Sequence, residues 1–196
     1  MALPIKSLAI LSLLGISGSF LVSNLDLVFY EGPSSIRSKL IRDGFKLLSH
    51  DSKDWEILWK KHEAESGGKL PFLVNSLDSF QVACEEVLKF TDLNSHYSQA
   101  SRWCVVPQGF EDRLKFLGNR RIKEGEAIWT DLLAKYEKDD KNNFVTDLKS
   151  KETSELKIQE MKKYCDEVEK KGLKTYDKDF SEQFSRFLMW CTRKDS

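Results

Sequence analysis

A doubled tryptophan–cysteine order constrains this 196-residue chain more than any other feature. Trp55, Cys84 and Trp103-Cys104 occur in that order. Trp129, Cys165 and Trp190-Cys191 repeat it, so the pattern uses all four cysteines. A shift of 74 residues lays Trp55 on Trp129 without a gap, and with it Leu40 on Leu114, Gly44 on Gly118, Leu58 on Leu132 and Glu63 on Glu137. Beyond that block the halves differ in length: Cys84 meets Cys165 at a shift of 81, and Cys104 meets Cys191 at 87. These matches in order predict two degenerate copies of one unit. Four cysteines allow three pairings. A duplicated unit most simply carries its own bridge, which predicts Cys84–Cys104 and Cys165–Cys191, each worth on the order of 3 kcal/mol in the chain-entropy account. Four buried free thiols are the competing reading.

Within each copy the apolar spacing is helical. Trp55, Leu58, Trp59 and His62 fall at i, i+3, i+4 and i+7, and Trp129, Leu132, Leu133 and Tyr136 do the same. Phe80, Cys84, Val87 and Leu88 share one face, and Tyr97, Ala100 and Cys104 another. In the second copy Met161, Tyr164, Cys165 and Val168 point inward, and Phe180, Phe184, Phe187, Leu188 and Cys191 form the last stripe. Gly44, Gly118 and Gly172 read as helix stops. Asn94 reads as the cap of the helix before Trp103, and Asp112 as the start of the first helix of the second copy. No segment alternates convincingly with period two. The expected fold class is therefore all-α, a helical bundle from two degenerate repeats, preceded by an N-terminal apolar helix. Trp55, Trp103, Trp129 and Trp190 are the expected structural core.

The first thirty residues differ from the remainder. Ser7 to Leu25 carries no charge, with Lys6 before it and Asp26 and Glu31 after it. A helix over those residues spans roughly 28 Å, close to a hydrocarbon core of about 30 Å. The flanking charges put the N-terminus inside and export the rest of the chain. Residues 1–30 are thus expected as a signal anchor, with a signal peptide cleaved near Ser17-x-Ser19 as the alternative. Residues 31–107 and 108–196 are the two helical repeats, packed as one ectodomain. Export favours disulfides over free thiols. The expected location is the cell membrane, single-pass with an extracellular C-terminal domain, or secretion.

Charge balance narrows the partners. There are 31 basic and 31 acidic residues, which supplies no general attraction for nucleic acid. Asn119-Arg120-Arg121-Ile122-Lys123 is the one tight basic run and reads as solvated surface rather than an anion patch. No catalytic, cofactor-binding or metal-ligating set emerges. His50 reads as a loop residue, and His96 has no carboxylate close to it in sequence. His62 reads as packing because Tyr136 holds its place in the other copy. The cysteine spacings do not suit zinc. No HExxH, GxSxG or Walker pattern is present. Arg102 is expected to stack on, or extend past, the neighbouring Trp103.

Five motifs stand beside the N-terminal apolar segment: Lys39-Leu40-Ile41-Arg42-Asp43-Gly44-Phe45, Arg102-Trp103-Cys104-Val105-Val106-Pro107, Asp112-Arg113-Leu114, Trp129-x₂-Leu132 and Trp190-Cys191. Through these features the chain resembles a family of uncharacterised paralogous proteins encoded by haemotropic mycoplasmas. The N-terminal segment is richer in Leu and Ser than the Gly-Ala-rich form of that family. The resemblance implies a membrane-associated, surface-displayed protein of a wall-less blood parasite, meeting a host surface molecule or antibody. The expected function is accordingly host interaction or antigen display without catalysis. The alternatives are a small exported enzyme such as a hydrolase, and a structural subunit of a membrane assembly.

Overall fold

Local caps and stops set the helix boundaries. The computed structural model describes residues 35–66, 74–138, 145 and 148–195. Helix α1 (Ile36–Arg42) starts at Ser35, whose hydroxyl accepts the Ser38 N–H at 3.2 Å. It stops at Gly44, which adopts φ 78°, and the Phe45 N–H reaches back to the Leu40 carbonyl at 3.0 Å. Helix α2 (Asp54–Ser66) opens with Asp54 and Glu56, acids that suit the positive end of a helix. Helix α3 (Leu77–Lys89) begins with a reciprocal Ser76–Ser79 cap. Helix α4 (Leu93–Trp103) is capped by Asp92, which accepts the Asn94 N–H. Asn94 is thus inside the helix rather than its cap: its own N–H is the first-turn donor that Asp92 satisfies.

The second half is also mainly helical. Helix α5 (Phe110–Leu117) begins two residues before Asp112, whose carboxylate instead reaches back to the Gly109 N–H at 2.9 Å. Gly118 ends it at φ 62°. Helix α6 (Ile128–Lys138), a 3-10 turn (Leu148–Ser150), α7 (Ser154–Lys170) and α8 (Phe180–Trp190) complete the helices. Thr153 caps α7, and Gly172 follows its end at φ 61°. Residues 139–144 and 146–147, between α6 and the 3-10 turn, lie outside the described residues.

The chain is mainly helical, with one correction. Strands β1 (Asn119–Arg121) and β2 (Thr192–Lys194) form an antiparallel ribbon, with Asn119 opposite Lys194 and Arg121 opposite Thr192. The basic run expected as plain solvated surface is largely this strand. The ribbon escapes period-two reading because each strand has three residues and no apolar alternation. The first half has a smaller counterpart, an isolated antiparallel bridge between Leu47 and Val105.

All described residues fall in one compact unit, Glu31–Ser196. Its buried side chains gather in two clusters. One contains Ile36, Leu40, Trp55, Leu58, Phe80, Val87 and Trp103; the other contains Leu114, Trp129, Leu133, Met161, Val168, Phe187 and Trp190. Among the described residues no helix is long and apolar enough to cross a membrane. The expected anchor over residues 1–30 lies outside the described residues.

Candidate functional site

The four tryptophans and four cysteines build two matching corners. Trp55 and Trp103 are 5 % and 4 % exposed, and Trp129 and Trp190 are 2 % each. Cys84 of α3 is bonded to Cys104 at the end of α4, with Cα atoms 5.4 Å apart. Cys165 of α7 is bonded to Cys191 at the end of α8, with Cα atoms 5.6 Å apart. Each bridge therefore ties the last two helices of its half. The Trp55 Nε1–H donates to the Ser49 carbonyl at 2.8 Å, and the Trp129 Nε1–H donates to the Lys123 carbonyl at 3.0 Å. These are indoles with one apolar body and one satisfied polar edge.

His62 sits inside the first corner with no exposed surface. Its ring stacks on Trp59 at 5.7 Å and lies 5.1 Å from Phe80 and 5.2 Å from Trp103. Burial lowers its pKa, and the nearby Arg102 charge adds to the effect, so the ring is held neutral. Tyr136, 74 residues further on, is buried in the second corner, where its hydroxyl accepts the Val145 N–H at 3.1 Å. His96 packs near Phe90, with ring centroids 5.1 Å apart. Among the described residues no group of three or more His, Cys, Asp or Glu could hold a metal ion.

A polar seam joins the halves. The Arg113 guanidinium is buried against the Phe45 ring at 4.0 Å and donates to the Gln108 Oε1 at 3.5 Å. The Gln108 amide in turn donates to the Gly44 carbonyl at 3.2 Å. The Tyr97 hydroxyl donates to Asp43, which also accepts from Lys39 at 2.6 Å. Burial works to raise the Asp43 pKa, but the Lys39 and Tyr97 hydrogen bonds and the Lys39 and Arg113 charges outweigh it and lower it. Burial, with the Asp43 carboxylate, pushes the Tyr97 phenol up. Sequence reasoning missed Arg113 as a core residue; a buried arginine between two aromatic rings leaves no periodic signal of its own.

The basic run is internally neutralised. Arg120 makes a two-pronged pair with Glu126 at 2.7 and 3.2 Å, and Arg193 reaches the same carboxylate at 2.7 Å. The Lys123 N–H adds a fourth donor at 2.8 Å. Hydrogen bonding from Arg120, then from Lys123 and Arg193, holds the Glu126 pKa at about 2. Arg121 pairs with Asp166 at 2.7 Å. This side of the ribbon therefore offers little net positive charge to an anion.

One cleft stands out beside the first corner. It has a volume of about 320 Å³ between α4 and the segment leading into α8, and Phe45 also lines it. That volume is at the small end of ligand sites. Arg102 is its best-anchored cation. Its guanidinium lies over the Trp103 ring at 4.5 Å, its Nε donates to the Tyr176 carbonyl at 2.6 Å, and its Nη2 pairs with Glu65. Lys178 and Asp177 contribute from the opposite wall. No sequence motif could announce this cleft, since its walls come from three separate parts of the chain.

The chain matches no known family model, no curated protein and no solved structure.

Proposed function

We propose that the chain is an exported, membrane-anchored or secreted helical surface protein of host-interaction or antigen type, without catalytic activity, akin to the haemotropic mycoplasma paralogues it resembles. The observation that carries the reading is the pair of buried disulfides. Such bonds persist in oxidising surroundings and are rare in a reducing cytosol. They hold a rigid helical scaffold whose outer faces stay free to vary.

We further infer that the two halves descend from one duplicated unit. Backbone hydrogen bonds at corresponding places support this. The Leu48 N–H meets the Cys104 carbonyl at 3.5 Å, and the Ile122 N–H meets the Cys191 carbonyl at 3.0 Å. The Leu47–Val105 bridge corresponds to the Arg121–Thr192 pair of the ribbon. The matching indole bonds of Trp55 and Trp129 add side-chain agreement.

An exported enzyme calls for a nucleophile and a base meeting in one cleft. The α4 cleft is lined by one carboxylate, Asp177, and by no histidine. The Asp177 Oδ2 already accepts the Lys174 N–H at 2.8 Å. This arrangement favours binding over bond-making.

The test is labelling of intact cells that express the chain natively, using a membrane-impermeant amine reagent. Lysines after Tyr30 should be labelled without lysis. Labelling that appears only after lysis, beside a labelled surface control, overturns the display reading.

A further inference from the structure

The α4 cleft combines features that a solvated crevice does not need. Its volume of about 320 Å³ leaves room for a small ligand. Two cations face it. Arg102 is fixed through Nε and Nη2 by Tyr176 and Glu65, and its Nη1 makes no hydrogen bond among the described residues. Lys178 is exposed and makes no ion pair among the described residues. Arg102 is thus preorganised and Lys178 is exposed beside it in the lining, a pairing suited to a carboxylate.

The remaining lining is rich in groups that exchange hydrogen bonds with hydroxyls. Ser101 donates its hydroxyl hydrogen to the Ser98 carbonyl at 2.9 Å and keeps its lone pairs. Asp177 uses one oxygen on Lys174 and presents an acceptor that would repel a bare anion but welcome an O–H donor. Trp103 and Phe180, both nearly buried, form the apolar part of the lining.

We propose that this cleft binds a small hydroxylated carboxylate of the sugar-acid class. Arg102 and Lys178 take the carboxylate, and Asp177 and Ser101 take ligand hydroxyls. The site does not depend on where the chain is displayed, so it stands or falls apart from the surface reading.

The test is calorimetric titration of the full chain with D-glucuronate, with D-glucose as the uncharged counterpart. Glucuronate should bind at millimolar concentration or tighter, with glucose weaker by at least about tenfold. Lys178→Ala should weaken glucuronate by about tenfold. Ser101→Trp, which fills the cleft, should abolish binding while leaving the unfolding midpoint near that of the native chain. Absence of glucuronate binding, equal binding of glucose, or native affinity in Lys178→Ala overturns the proposal. Should Ser101→Trp fail to fold, Lys178→Ala alone decides.

Discussion

Gly44 lies against the face of Phe116: a Cβ built on Gly44 would come within 2.2 Å of the Phe116 Cγ. Gly44 ends α1 in the first half and Phe116 belongs to α5 in the second, so the contact is a close approach of the two halves. Two demands meet at this glycine, a φ of +78° and the absence of a side chain. Gly118 carries only the first, with φ +62° and nothing within 4 Å of a built Cβ.

Gly118→Ala should therefore destabilise by about 1 kcal/mol, the left-handed penalty alone. Gly44→Ala should lose about 3 kcal/mol, since overlap with Phe116 adds to that penalty. Adding Phe116→Ala should relieve the overlap, making the double variant less unstable than the two single losses summed. Urea unfolding of the four proteins measures each value. Equal losses at Gly44 and Gly118 would show that Phe116 does not press on the turn.

Each bridge closes a loop of similar size, with sequence separations of 20 and 26. Removing either pair, as Cys84→Ala with Cys104→Ala or Cys165→Ala with Cys191→Ala, should cost about 3 kcal/mol. The loss should be regional. Hydrogen exchange should quicken first in α3 and α4 for one variant and in α7 and α8 for the other. Intact mass before and after reduction counts the bridges in the native protein.

His62 predicts acid sensitivity in the first half. Its folded pKa lies below 6.5, so on acidification the unfolded chain binds the proton before the folded chain does. Stability should hold above pH 6.5 and fall as pH drops below it, down to the lowered folded value. His62→Phe keeps an aromatic ring among Trp59, Phe80 and Trp103 and should remove this portion of the slope. Unfolding midpoints of both proteins between pH 7 and pH 5 provide the check.

Glu126 ties the ribbon to the turn before α6 through Arg120, Arg193 and the Lys123 N–H. Its pKa is lowered from 4.5 to about 2, so its contribution is complete above 4.5 and disappears as pH falls through about 2. Glu126→Gln should loosen the ribbon at neutral pH. Faster exchange at the amides of 119–121 and 192–194, with unchanged protection in α3, is the expected result.

Tyr97 reaches Asp43 across the first half, from α4 to the end of α1. Tyr97→Phe should cost about 1 kcal/mol, a modest figure for a bond to a charged acceptor because the site is partly exposed. It should also raise the Asp43 pKa, which carboxyl NMR titration reports directly.

Helical faces were legible because burial on a helix repeats every three to four residues. Trp55, Leu58 and His62 carry that period in their own spacing, and all three are buried. Gly44, Gly118 and Gly172 were legible as stops, and all three have positive φ. Asn94 misled because Asp92, two residues earlier, is an equally good cap and only the helix axis chooses between them. The ribbon was illegible because Asn119–Arg121 finds its partner more than seventy residues away, through backbone groups that every residue possesses.

The doubled Trp–Cys order by itself determined which residues could turn inward and which cysteine pairings were simplest, since those depend on spacing along one helix and on the small number of cysteines. Tertiary structure alone decided where the halves meet. Arg113 lies on Phe45, Gly44 lies under Phe116, and Arg102 reaches the Tyr176 carbonyl. These contacts depend on how two helical layers approach in space, and local periodicity carries no term for that distance. The α4 cleft belongs with them, because Phe45, Trp103 and Phe180 line it together only once the chain has folded.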